Sequence, residues 1–182
     1  MKKLNLGWGI DYREDWVNLD QVNGVKADVY ANLEEKLPFK DNTFDYVFIS
    51  HVLEHINNFI NLMREIKRIC KEGAIIDIRV PHASAIPAYQ DPTHVKFFTY
   101  LTFDYFTEKS FYDLPKFEVI SKSLNFVVKE MTFLNYFINP IINLAPRHYE
   151  RFFSGILPCG EVKYRLRVIK TVQKYKNIKK SL

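Results

Sequence analysis

The sequence holds only two cysteines, Cys70 and Cys159, among 182 residues. Two thiols cannot build a disulfide framework, so both are expected to be free, in a reducing cytoplasm. Nor is there an apolar run long enough to span a bilayer. The most apolar stretch, FLNYFINPIINLA at 133–145, falls well short of about 18 residues and carries three asparagines and a proline. The start, MKKLNLGWGID, does not read as a signal peptide, because its apolar stretch is short and broken by glycine and charge. Internal repeats and low-complexity segments are missing too. With 47% hydrophobic, 26% charged and 15% aromatic residues, the chain suits one domain, 1–182, with a real core.

Acidic residues are missing from one end. Residues 162–182 hold eight Lys or Arg and no Asp or Glu, leaving 18 basic against 21 acidic residues in the rest, so the overall +5 is local. A basic end can meet nucleic acid or an anionic membrane. No nucleic-acid recognition motif accompanies it, and the plainer reading is a solvated strand edge and tail.

Apolar runs and breakers predict alternating strands and helices. Strands are expected at Lys3–Leu6, Trp16–Leu19 (ending at Asp20), Val25–Tyr30, Phe44–Ser50, Ala74–Val80, Phe117–Val128 and Val162–Ile169. Phe59, Leu62, Met63, Ile66 and Ile69 recur at helical spacing, with Gly73 expected to end that helix after Lys71. The last strand alternates Val162, Tyr164, Leu166 and Val168 with Lys163, Arg165 and Arg167, which predicts one wet face in an antiparallel or edge position. The earlier strands look uniformly apolar, as central parallel strands do. The class is therefore α/β, an open sheet of about seven strands, mostly parallel, with an antiparallel last strand.

In such sheets ligands bind at the carboxyl ends of the strands. Gly7-Trp8-Gly9 ends the first strand, Asp20 the second, Asn32-Leu33 the third and Ser50-His51 the fourth, with Glu54 and His55 close by. His82 follows the fifth, then Asp91 and His94. Four of the five histidines thus follow strands four and five, which argues for a site there. His51-Val-Leu-Glu54-His55 also has the H-x-x-E-H pattern of an inverted zinc peptidase, but no third protein ligand stands out downstream. The plain alternative has His55 packing at the helix start and Glu54 facing solvent or the helix dipole. His82, Asp91 and His94 could take a proton from an acceptor or, with His51, hold a metal. The plain alternative is an Asp91-Pro92-Thr93 turn and a structural hydrogen bond at His94. No metal ligand is assigned.

The segments LNLGWG-x6-WVNLD and NLEEKLPFKDNTFDYVFISHVLEHI resemble the class I S-adenosylmethionine-dependent methyltransferases, and within them the small methyltransferase-11-like branch. The resemblance is strongest over residues 3–80 and extends through QDPTHVKFFTYLTFDYF to the YERFFSGILPCGEVKYRLRVIK end. It implies a Rossmann-like fold with 1–80 as cofactor half, 81–161 as acceptor or lid half, and 162–182 as last strand and basic tail. It implies S-adenosyl-L-methionine as cofactor, held by Gly7, Trp8, Gly9, Asp20, Asn32, Leu33, Ser50 and His51, with Asp20 on the ribose. The expected reaction is methyl transfer to an O or N nucleophile of an unidentified acceptor, with His94, His82 and Asp91 activating it. A methyltransferase-like binding module without activity is the alternative, and a zinc hydrolase a remote one.

The sequence departs from the family pattern at Asn5, where an acid is usual, at Trp8, where a small residue is common, and at Asn32, where an aspartate is usual. Gly9 and Asp20 are 11 residues apart, and QVNG is as tight after strand two. The first-half helices are expected to be shortened or missing, because a parallel crossover commonly needs about a dozen residues or more.

In MTFLNYFINPIINLAPRHYERFF, Asn135, Asn139 and Asn143 line one helical face. Burial over the sheet with a partial lid role is expected there, with Pro140 bending the helix. A second copy or a membrane surface is the candidate partner for 131–156. The aromatics of Phe97–Phe106 suit an amphipathic or ring-bearing acceptor, or simply core.

Overall fold

The computed structural model describes residues 1–170 apart from 8, 10 and 23. Seven strands form one sheet in the order β3-β2-β1-β4-β5-β7-β6. β1 (Lys3–Leu6), β2 (Val17–Asp20), β3 (Val29–Tyr30), β4 (Phe44–Ser50) and β5 (Cys70–Pro81) run parallel. β7 (Glu161–Val168) is antiparallel to both β5 and β6 (Phe117–Asn125). Between β4 and β5 lies α1 (Phe59–Ile69); α2 (Pro87–Gln90), α3 (Asn135–Leu144) and α4 (Pro146–Phe152) follow β5. Among the described residues no helix lies between β1 and β4, as the short spacings predict.

One face of the sheet is dry. Leu4 pairs with Val47, Val47 with Ile76 and Ile76 with Leu166, a row of aliphatic side chains crossing the sheet. α1 buries Phe59, Leu62, Met63, Ile66 and Ile69 in the same core. Each such side chain contributes roughly 1.5–3 kcal/mol of burial. Phe59, Phe98, Phe103, Phe106 and Tyr164 join in edge and stacked ring contacts, so these aromatics of 97–106 are core.

The other face is polar and open, because among the described residues no helix of the first half covers it. Asn18, Asn5, Phe48, Asp77 and Arg165 form one cross-strand row. Arg165 clamps Asp77 with two bonds of 2.7 Å, and the Tyr46 hydroxyl also reaches Asp77. The Arg13 guanidinium lies 3.9 Å from the Phe48 ring centre, so a cation over an aromatic takes the place of a packed helix. Asn18 is fully buried yet satisfied. Its Oδ1 accepts from Asn5 Nδ2 (3.2 Å) and the Arg13 amide (3.0 Å), and its own amide donates to Asp28 (2.7 Å).

Three expectations need correction. β7 does alternate, but it lies between β5 and β6 and is not an edge; its wet side is the open face of the sheet. The earlier strands are not uniformly apolar for the same reason: Asp77 and Arg79 of β5 point to that open face while Ile76, Ile78 and Val80 are buried. Gly73 does not end α1. The chain turns extended at Cys70, and Gly73, at φ +75°, lies inside β5 where its register to β4 shifts.

The asparagine face is also placed differently. α3 runs along the free edge of β6 with its asparagines turned to the chain there. Asn143 Oδ1 accepts from the Leu124 amide (2.8 Å), Asn139 Oδ1 from the Phe126 amide (2.8 Å) and Asn135 Oδ1 from the Val127 amide (3.0 Å). Their amide groups bond back to Leu124 O, Asn125 Oδ1 and Val127 O. The helix thus closes an edge that would otherwise offer free backbone groups to another strand. Its apolar side faces outward, leaving Tyr136, Phe137, Ile141 and Leu144 exposed.

Two stability experiments follow. Gly7 sits at φ +66°, and a Cβ there would stand 2.4 Å from Val52 Cγ2, whereas one on Gly9 (φ +55°) would meet nothing within 4 Å. Gly7→Ala is expected to cost ~2–4 kcal/mol, from overpacking added to left-handed strain, and Gly9→Ala ~1–2 from strain alone; urea unfolding reads the difference, and equal losses would contradict it. Asn139→Ala is expected to cost ~1–2 kcal/mol by stranding an edge amide. An unchanged urea midpoint would show that the asparagine ladder carries no stability.

Candidate functional site

The corner after β4 organises the site. His51 follows Ser50 at φ +55°, a left-handed conformation uncommon outside glycine and asparagine. Its amide is held by Arg79 O at 2.9 Å. This turn directs the imidazole across the strand ends, with Nε2 3.2 Å from Glu161 Oε1 and Nδ1 3.4 Å from Glu54 Oε1. The Glu161 contact, then Glu54, pushes the His51 pKa up to about 9, so its ring carries a proton at neutral pH.

Glu54 is 1% exposed, and neither of its carboxylate oxygens has a hydrogen-bond partner; the His51 contact is a charge contact. This corrects the expectation that Glu54 faces solvent. Its backbone oxygen accepts from the Val95 and Lys96 amides, at 2.8 and 3.1 Å, tying residues 91–96 to the corner. Leu53–His55 form a single 3-10 turn rather than the start of a long helix. His51 therefore lies before the turn and bonds Glu161, and the two histidines of H-x-x-E-H do not form the paired helical grip of a zinc peptidase.

Beyond the corner, Asp91, Pro92 and Thr93 make the expected turn. Asp91 Oδ1 accepts from the Thr93 amide (2.8 Å) and hydroxyl (2.7 Å), which holds its carboxyl below the usual range. His94 Nδ1 donates to Ala88 O (3.1 Å), and its Nε2 lies 3.9 Å from Asp91 Oδ2. His51, Glu54, His55, Asp91 and His94 line an open cleft of about 1220 Å³, closed opposite by Phe126–Glu130 and Gly160.

His82 is not brought to this cleft. It is 2% exposed, with Nδ1 2.8 Å from Ser84 Oγ and Nε2 2.8 Å from Glu150 Oε1. Glu150 also accepts from the Tyr100 amide. His82 thus ties the end of β5 to α4 and stands apart from His94 and Asp91. Glu161 was not foreseen; the available signal was a lone acid opening an otherwise apolar and basic strand.

The glycine corner lies at the neighbouring strand ends. Gly7 donates to Leu19 O (2.8 Å), packing β1 against β2. Asp20, 5% exposed, accepts from the Gly9 amide (3.0 Å) and the Val22 amide (2.9 Å). A carboxylate offers about four acceptor positions, so two remain for the hydroxyls of a ribose. Gly9 faces open space, and the two features together fit a nucleoside at this corner. Asn32 is exposed and caps its own turn through Glu34 N and Glu35 Oε1, while Leu33 is buried in the core. Ser50 is half-buried at the end of β4. Trp8 lies outside the described residues, as does the tail beyond 170.

The profile of a methyltransferase domain matches residues 4–78. An uncharacterized protein of Methanocaldococcus jannaschii is 33% identical over 79 residues, 43% of this chain and 38% of that one. A demethylmenaquinone methyltransferase of Lysinibacillus sphaericus is 30% identical over 88 residues, 45% of this chain and 36% of that one. The matched segments thus span little more than a third of those relatives. In three dimensions the chain is similar to a SAM dependent methyltransferase from Archaeoglobus fulgidus, with TM-score 0.62, 18% identity and coverage of 91% and 85% of the two chains. It is also similar to an S-adenosylmethionine dependent methyltransferase from Mesorhizobium loti, with TM-score 0.58, 14% identity and coverage of 91% and 90%. At these identities the structures speak for the fold. The domain profile thus matches this chain from β1 into β5, and the fold of the whole described chain is that of the methyltransferase structures.

Proposed function

We propose that the chain is a methyltransferase that binds S-adenosyl-L-methionine at the ends of β1, β2 and β4 and accepts its substrate in the cleft beside His94. The observation that carries this reading is the adjacency of two features: a glycine corner with a strand-end carboxylate, and a large cleft around the neighbouring β4 and β5 ends. The cofactor supplies an electrophilic methyl group on a sulfonium centre. Asp20 would hold ribose hydroxyls, Gly7 and Gly9 would let the backbone approach, and His51 with Ser50 would border the reacting end. Asn32 stands where a neutral amide replaces the usual acid, and Leu33 serves the wall behind it.

The acceptor is an O or N nucleophile. Aligning it with the methyl supplies much of the rate. The proton it loses goes to His94, whose Nδ1–H is already given to Ala88 O, leaving Nε2 able to accept. Asp91, kept ionised by Thr93, lies 3.9 Å from that Nε2, where its charge would favour the imidazolium once formed, and is itself a poor base. His82, bound to Ser84 and Glu150, supports the acceptor wall from behind.

The outward side of α3 and the turn after α4 fits the reading as a contact surface for residues 131–156. Tyr136, Phe137, Ile141, Leu144 and Ile156 are each more than half exposed. An apolar patch of that kind suits a membrane surface or a second copy. Among the described residues no helix is long and apolar enough to cross a membrane.

Titration calorimetry with S-adenosylhomocysteine is expected to show micromolar binding that weakens at least ~10-fold in Asp20→Ala, since two hydrogen bonds to a charged acceptor are lost. No binding at millimolar ligand would overturn the cofactor reading. Binding without turnover over a broad acceptor panel would favour an inactive binding module. For the surface, the protein is expected either to float with anionic vesicles or to elute as a dimer, and to lose that behaviour in Phe137→Ser/Ile141→Ser/Leu144→Ser. A wild-type monomer that stays off vesicles would remove this partner proposal.

A further inference from the structure

The corner turn and the 91–96 segment bring three metal-ligating side chains together. One ligand atom each from Glu54, His55 and His94 lies within 4.8 Å of the other two. The His55 and His94 rings meet edge to face, with centres 4.6 Å apart. Of the two histidines that the H-x-x-E-H pattern pairs, only His55 takes part, because His51 is turned away to Glu161. The cluster is built by tertiary contact between residues 40 apart in sequence, held by the Glu54 backbone oxygen on the Val95 and Lys96 amides.

The hydrogen bonds around the cluster set its chemistry. The Thr93 hydroxyl gives its single proton to Asp91 Oδ1 at 2.7 Å. Toward His55 Nδ1, 2.8 Å away, it can therefore only accept, so His55 carries its proton on Nδ1 and leaves Nε2 with a lone pair. His94 faces the same constraint, because Ala88 O can only accept from its Nδ1. Both histidines are thus oriented with Nδ1–H donated to an oxygen, the arrangement that metal-ligating histidines show. Glu54 completes the set as a carboxylate that is 1% exposed with both oxygens lacking a hydrogen-bond partner. Burying a carboxylate with no hydrogen bond and only the 3.4 Å charge contact to His51 is costly, and a cation would offset that cost.

We propose that Glu54, His55 and His94 form a binding site for one divalent transition metal of the zinc class, through Nε2 of both histidines and a Glu54 oxygen. Two imidazoles and a carboxylate match the ligand preference of zinc and its neighbours rather than that of magnesium or calcium. Ligand bonds of about 2.0–2.1 Å put tetrahedral ligands about 3.3 Å apart, so ligand atoms within 4.8 Å of one another need close by at most about 1.5 Å. Three protein ligands leave one position open to the cleft. If the methyltransferase reading holds, an oxygen donor of the acceptor would enter there, and the metal would lower its pKa. The same His94 lone pair cannot then serve as general base, so metal binding and the proton-acceptor role exclude each other.

The test uses the tag-free full chain and two probes, zinc against a competing chelator dye and cobalt(II) by visible absorption. Wild type is expected to bind one zinc per chain at micromolar or tighter Kd. Cobalt should give visible bands without near-ultraviolet thiolate absorption, since Cys70 and Cys159 are both buried. His55→Ala and His94→Ala should abolish both signals, Glu54→Gln should weaken them, and Thr93→Val should weaken zinc binding ~10-fold through the lost support of His55. Circular dichroism checks each variant; the half-buried His55 gives a variant that should fold even if the buried positions do not. No stoichiometric binding by wild type, or binding unchanged in folded His55→Ala, would overturn the proposal. Because S-adenosylhomocysteine binding is measured separately and needs no metal, failure of this site and failure of the methyltransferase reading are distinguishable.

Discussion

The backbone of Gly7 lies so close to Val52 that a single methyl on Gly7 would stand 2.4 Å from a Val52 methyl. That contact locks the end of β1 against the turn that follows β4. The turn in its place fixes the cleft wall: His51 at a positive φ, Glu54 buried beneath it, and residues 91–96 fastened to the Glu54 backbone oxygen. A larger residue at position 7 would push the corner away from the glycine loop.

The same half of the chain dispenses with the helices that usually cover a parallel sheet. A bare apolar face would be unstable in water, so the exposed side is built from charged and polar groups. Asp77 is clamped by Arg165, Arg13 lies over Phe48, and a buried Asn18 satisfies the loop that stands where a helix would pack. At the far end of the sheet, three asparagines of α3 perform a related task by closing the edge of β6. In both places side-chain polar groups substitute for missing secondary structure.

The site has an unusual charge pattern. Two carboxylates, Glu54 and Glu161, lie buried beside the His51 imidazolium, and Lys163 Nζ reaches Glu161 Oε2 at 3.5 Å, so the buried acids are matched by two cations. Asp91 stays outside this balance, half-exposed and held by Thr93.

Periodicity alone determined much of this protein. The bounds of β1 and β4, the buried stripe of α1, the alternation of β7, the two free thiols and, among the described residues, the lack of helices between β1 and β4 all follow from local pattern and spacing. Those properties depend on a residue and its near neighbours along the chain. Tertiary structure decided the rest. His82 and His94 look alike in sequence, yet one is tied to Glu150 of α4 and the other opens to the cleft. The interior place of β7, the edge placement of the asparagine face, and the partnership of His51 with Glu161, 110 residues away, likewise depend on which strands pair. Burial and long-range hydrogen bonds assign each polar side chain its role, and neither is encoded in local spacing.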